Sequence, residues 1–171
     1  MMMILLWRSL FLVLLTAVPV VQAADVTFNI TGSLKYSPCT VTVGASQNVM
    51  LGMYSTNFLG SVGEITPLKP FEITVDNCPK DYNDVQVMFE GDAVAENTQL
   101  IALQPGGAKN VGIVLYDSDK KTVIPVNSAT AGKRVSTVQA TTLTFYAAYM
   151  STGKVSDGSA NADVSFTISY N

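Results

Sequence analysis

The stretch ADVSFTISYN, residues 162–171, alternates Ala162, Val164, Phe166, Ile168 and Tyr170 with Asp163, Ser165, Thr167 and Ser169. A period of two belongs to a β-strand with one face buried and the other in water. Nothing follows this strand in the sequence, so its apolar character leaves either a covered edge or an edge awaiting a partner. A second alternating stretch, Val26, Phe28, Ile30, Gly32 and Leu34, lies towards the other end. The expectation is that the two stretches serve each other in different molecules. The pattern alone also fits a plainer case, in which Val26 to Leu34 is the first strand of a complete sandwich.

Composition narrows the classes of function. The 171 residues are 48% apolar and only 13% charged, enough for one domain with a substantial core. Histidine is absent, which removes the commonest general base and the commonest zinc ligand together. No basic patch speaks for nucleic acid. Arg8 precedes an apolar run from Leu10 to Val21, and Val21-Gln22-Ala23 supplies the small residues that a signal peptidase reads. Residues 1–23 are therefore expected to be a signal peptide. The run is shorter than the roughly 20 residues of a membrane span, the other reading of such a segment. Without Arg8 the net charge moves from −3 to −4, with 9 Lys and Arg against 13 Asp and Glu. In an oxidising compartment Cys39 and Cys78 are expected to form one disulfide around a loop of about 40 residues, two buried thiols being the alternative.

Along the chain, strand patterns recur between turn signals and no long helical period appears. Ser37-Pro38 separates the first alternating stretch from a short one, Cys39 to Val43. Residues 45–70 read as loop, punctuated by Gly52, Gly60, Gly63, Pro67 and Pro70 around apolar pieces such as Val49-Met50-Leu51. Further strands are predicted at Phe71, Ile73 and Val75, at Val85, Val87 and Phe89, and briefly from Leu100 to Leu103. Val111 to Leu115 and Lys121 to Val126 flank Asp117-Ser118-Asp119-Lys120 as a hairpin, and Leu143 to Tyr149 gives a long strand. The whole reads as an all-β sandwich of immunoglobulin-like type.

No segment carries convincing catalytic or cofactor chemistry. Asp117 and Asp119 are followed by lysines and a threonine where a calcium loop needs further oxygen ligands, so a solvated turn is expected. Gly106-Gly107-Ala108-Lys109 lacks the spacing and the Ser or Thr of a phosphate loop. No G-x-S-x-G element accompanies the serines. No enzyme, metal, cofactor or small-molecule substrate is expected.

Several segments together resemble the subunits of chaperone-usher pili, the type 1 fimbrial pilin family. They are Cys39-Thr40-Val41, KPFEITVDNCP from Lys69, VQVMFEG from Val85, VGIVLYDSDKKTVIPV from Val111, LTFYAAY from Leu143 and the closing ADVSFTISYN. Tyr170 is penultimate, and Gly158 is fourteenth from the end counting Asn171 as first, as in that family's chaperone-recognition motif. The resemblance implies an incomplete immunoglobulin-like sandwich that lacks its final strand and is completed by a donor strand from another subunit. It implies residues 24–37 as the donor extension and 38–171 as the pilin domain.

On that resemblance Val26, Phe28, Ile30 and Leu34 are the donor side chains, and Gly32 lies where the neighbour's groove is shallow. Gly158, Ala162, Val164, Phe166, Ile168, Tyr170 and Asn171 belong to the strand and groove that receive a donor. Cys39 and Cys78 match the family's disulfide. The implied partners are a periplasmic pilus chaperone, an outer-membrane usher and neighbouring pilin subunits, on a route through the periplasm to a fimbria at the cell surface that supports adhesion. The glycine common in the family's hairpin turn is replaced by lysine, at 120 or 121. The rival reading is a self-sufficient secreted binding module of the same fold.

Overall fold

The computed structural model describes residues 39–80 and 84–170, and in them the expected two-sheet sandwich. The ten strands are β1 (Thr40–Val43), β2 (Lys69–Asp76), β3 (Asp84–Glu90), β4 (Ala93–Val94), β5 (Asn97–Ile101), β6 (Val111–Tyr116), β7 (Val123–Ile124), β8 (Lys133–Arg134), β9 (Thr141–Ser151) and β10 (Ser165–Tyr170). The larger sheet runs β1-β2-β9-β6-β5-β4, with β7 paired to β6, and the smaller runs β10-β3-β8. Each named pairing is antiparallel.

Alternation decides which residues meet between the sheets. Ile73 and Val75 of β2, Leu143, Phe145 and Ala147 of β9, and Val85, Val87 and Phe89 of β3 turn into one buried cluster. Phenylalanines tie the sheets together at its centre: Phe89 lies 5.2 Å from Phe145 and 5.6 Å from Phe71, both edge-on, the favoured geometry for ring pairs. All six residues of β6 are buried. Its second face packs Val114 and Tyr116 into a smaller cluster with Val94, Leu100 and Ala148. Cys39 and Cys78 form a disulfide with Cα atoms 4.2 Å apart, joining the start of β1 to the residues just past β2. In the chain-entropy account a closed loop of this length contributes about 4 kcal/mol.

Loop side chains fasten what the ladders leave open. Asn127 adopts a positive φ of 60° and pairs its amide with Gly91, donating to the carbonyl at 2.9 Å and accepting from the N–H at 3.1 Å. In the β6–β7 hairpin Asp119 accepts from the N–H groups of Lys121 and Thr122 and from the Thr122 hydroxyl. These bonds hold its carboxyl down at about 2. Lys120 occupies the left-handed position of the turn at φ 60°, which locates the substitution expected at 120 or 121. Asp117 departs from the solvated turn that was expected. It is buried, forms an ion pair with Lys133 of β8, and thereby links the two sheets.

The connection from β9 to β10 crosses between the sheets as a hydrogen-bonded strap. Thr152 N donates to Asn110 O, Ser156 N to Lys109 O, Ala108 N to Ser159 O at 2.8 Å, and Gln104 N to Asn161 O at 2.8 Å. The Tyr149 hydroxyl donates to Ala160 O at 2.9 Å. Gly158 sits where this strap presses on residues 107–108: a Cβ there would lie 2.5 Å from Ala108 N, and φ is +156°. Only glycine fits so close an approach.

Two outcomes are expected. Burial pushes the Asp117 carboxyl up, but hydrogen bonds from Lys133 and Ser118, together with the Lys133 charge, outweigh it and hold the group below its ordinary value of 3.8. A carboxyl depressed in this way adds stability that is complete above the unfolded value and is lost as pH falls through the folded one. Asp117→Asn should therefore cost about 2 kcal/mol near pH 7, a difference in denaturant midpoint that shrinks towards zero as the pH approaches the acid limit of the carboxylate range. Gly158→Ala should destabilise by about 1–3 kcal/mol through the displaced strap, whereas Gly106→Ala, whose Cβ meets nothing within 4 Å, is a control for substitution at a positive φ of 84°.

Candidate functional site

β10 forms because Phe166, Ile168 and Tyr170 alternate with Ser165, Thr167 and Ser169 and find β3 as a template. The register sets Phe166 opposite Phe89, Ile168 opposite Val87 and Tyr170 opposite Val85. Within each pair the β3 residue is fully buried and the β10 residue only half-buried. The difference lies in the neighbours. β3 is flanked by β10 and β8, whereas β10 has a ladder with β3 alone among the described residues.

A second wall of the same apolar cluster lies in the loop after β1. Val49 and Leu51 reach the cluster that Phe166, Ile168 and Tyr170 also join, while Met50 between them points out. These residues alternate as a strand does, yet the backbone of residues 48–53 makes no hydrogen bond among the described residues. β10 and residues 48–53 thus lie against one apolar cluster, and no ladder joins the two among the described residues. Backbone donors and acceptors near an apolar surface need partners, and a strand is the element that supplies them on two sides at once.

The predicted acceptor residues divide into three groups. Phe166, Ile168 and Tyr170 share the inward face of β10. The Tyr170 hydroxyl donates to Cys39 O at 3.4 Å, tying the end of β10 to the disulfide, and burial raises its pKa. Ala162 packs against the same cluster but precedes the strand, which begins at Ser165, and Val164 is exposed. The alternation breaks there because the strap's hydrogen bonds, among them Gln104 Nε2 to Asp163 Oδ2 at 2.7 Å, govern residues 159–163 in place of a ladder. Gly158 lies in the strap, away from β10. Asn171 and the donor residues Val26, Phe28, Ile30, Gly32 and Leu34 lie outside the described residues.

Sequence reasoning passed over Val49 and Leu51 as walls of this site. Their signal was present as the short apolar piece Val49-Met50-Leu51, but a run of three has no readable period. No group of three or more potential metal ligands occurs among the described residues.

This geometry, a two-sheet sandwich in which β10 pairs with β3 alone among the described residues, has counterparts among known proteins. The model of the fimbrial protein family matches residues 28–171. The chain is 36% identical over 154 residues to the probable major fimbrial subunit LpfA of Escherichia coli O157:H7, covering 87% of this chain and 85% of that one. It is 33% identical to the type-1 fimbrial protein A chain of Salmonella typhi, with coverages of 88% and 85%. Among solved structures it resembles the Burkholderia pseudomallei antigen and type I fimbria protein BPSL1626 at 28% identity and a TM-score of 0.63, covering 78% of this chain and 90% of that one. The fold is also that of the P pilus rod subunit PapA, at a TM-score of 0.67 and 19% identity, with coverages of 79% and 100%. This chain belongs to the fimbrial protein family, whose members are structural subunits with an immunoglobulin-like fold.

Proposed function

We propose that this fimbrial subunit polymerises by donor-strand exchange, the strand between β10 and residues 48–53 being supplied by another molecule. One observation carries the reading. The apolar face of β10 is half-buried over a β3 that is fully buried, in a strand with a ladder on one side alone among the described residues. An edge of this kind aggregates unless it is covered. A periplasmic chaperone covers it first, and at an outer-membrane usher the N-terminal extension of the next subunit takes the chaperone's place. The polymer then stands at the cell surface as a fimbria and supports adhesion.

The donor is residues 24–37 of a neighbouring subunit, entering with Val26, Phe28, Ile30 and Leu34 towards the groove and Gly32 where backbones approach most closely. Backbone hydrogen bonds give this association its strength, and alternate side chains give its register. Completing the burial of each half-covered β10 side chain adds roughly 1 kcal/mol of transfer free energy. The disulfide and the Tyr170 contact with Cys39 brace the receiving edge before a donor arrives.

The test joins residues 25–37 after Asn171 through a short flexible linker. A large rise in unfolding temperature over residues 38–171 alone is expected, and equal melting of two well-folded proteins would sink the proposal. Point substitutions separate the steps. Ile168→Asp places a charge in the receiving face, and loss of soluble periplasmic subunit is expected even with chaperone present. Phe28→Asp should leave the chaperone complex at normal yield while abolishing incorporation into fibres, as read by the ladder of denaturant-resistant polymers. Normal fibres from Phe28→Asp would show that the donor lies elsewhere.

A further inference from the structure

Eight large apolar side chains are exposed among the described residues, and five of them, Met50, Met53, Phe58, Val62 and Ile65, belong to the single loop between β1 and β2. Met53 is 98% exposed and Met50 80%. The loop cannot fold these groups away, because it is fixed at several points. Ser55 caps a 3-10 turn at Thr56–Leu59, Leu59 is buried, and Glu64 accepts from Ser61 N at 2.9 Å. Gly63 N and Thr66 N then bond to Ser151 O and Tyr149 O of β9. The Tyr54 and Phe58 rings meet at a tilt of 46° with centroids 5.5 Å apart.

We infer that the surface made by Met50, Met53, Tyr54, Phe58 and Val62 is a docking face for a second copy of this chain in the assembled fibre. The occupant is chosen by charge and by position. Residues 44–68 contain one charged side chain, Glu64, and the turn uses it, so the surface offers nothing to a charged ligand and suits another protein's apolar side chains. It is also continuous with the receiving face: Met50 lies between Val49 and Leu51, which line the open core. A subunit that donates its strand there is held beside this loop. The inference rests on the donor-strand reading and adds to it a contact between folded bodies.

The measurement is methionine oxidation by hydrogen peroxide, which transfers one oxygen to the thioether and leaves water. Fibres assembled with this chain as the sole pilin are treated intact and after full denaturation, and sulfoxide at each methionine is followed by mass spectrometry. Met53 should oxidise at least tenfold more slowly in the fibre. A rate within twofold of the denatured chain, in fibres that form normally, overturns this inference while leaving donor-strand exchange intact. Failure of donor-strand exchange shows itself separately, as fibres that form from Phe28→Asp. Protection that appears only when a different pilin is co-expressed also overturns it, since the occupant is then not a copy. Met53→Glu distinguishes the patch from the groove: it should leave the polymer ladder unchanged and raise Met50 oxidation in fibres by about tenfold. Continued protection of Met50 would assign its cover to the donated strand alone and refute the docking face.

Discussion

The structure depends on an apolar core that buries Val85, Val87 and Phe89 of β3 fully and Phe166, Ile168 and Tyr170 of β10 only by half. Val85, Val87 and Phe89 are buried because β10 and β8 flank them and β2 and β9 lie across the sandwich. Phe166, Ile168 and Tyr170 meet the same cluster with no second ladder among the described residues. Apolar contact is not directional, so the cluster accepts any side chains of fitting size. The backbone of β10 does set direction and register, because its donors and acceptors repeat at fixed spacing. In the proposed assembly a strand with alternate apolar residues is the element that fits both this cluster and this register.

An open face is compatible with a defined fold only if the remainder is held by other means. The disulfide fixes the start of β1, and the Tyr170 hydroxyl reaches the carbonyl of the same cysteine. The Asp117–Lys133 pair crosses between sheets, and the Asn127 amide replaces two backbone partners at Gly91. The strap over residues 104–110 governs where β10 begins. Each of these contacts joins residues far apart in sequence, and together they restrain the ends of both sheets.

Most of the fold was legible because β-structure writes its faces into the sequence at period two. β2, β3, β6, β9 and β10 fall on the stretches where apolar and polar residues alternate or run continuously. The two-residue strands β4 and β8 carry no such signal and exist by pairing with a longer neighbour, whereas β7 falls in the hairpin arm expected at Lys121 to Val126. The burial of Asp117 was illegible for a related reason: hairpin spacing makes it a turn residue, and its partner Lys133 is 16 positions away in a segment with no period of its own. Val164 reads as part of the alternation at 162–170 and is nevertheless exposed, because the strap's long-range hydrogen bonds override local pattern. The glycine at 158 was visible as a motif residue, and the structure supplies its cause in the close approach of Ala108.

The chemistry of the site also accounts for what the sequence leaves out. With no histidine, no side chain changes charge at its ordinary pKa between pH 5 and 8. Charged residues are 13% of the chain, and Asp117–Lys133 is the one ion pair found among the described residues, internal to the subunit. The hairpin carboxyl of Asp119 stays ionised down to about pH 2. A subunit joined to its neighbours through apolar side chains and backbone hydrogen bonds gains little from ion pairs, which salt screens within about 8–10 Å at physiological strength. Ladder bonds and buried apolar area are indifferent to that screening. A chain poor in charge and rich in alternating strands therefore suits a polymer exposed to changing pH and salt outside the cell. In the proposed assembly the unfinished sheet supplies the driving force as well, since covering the face of Phe166, Ile168 and Tyr170 makes each added subunit bury surface that its own fold leaves in water.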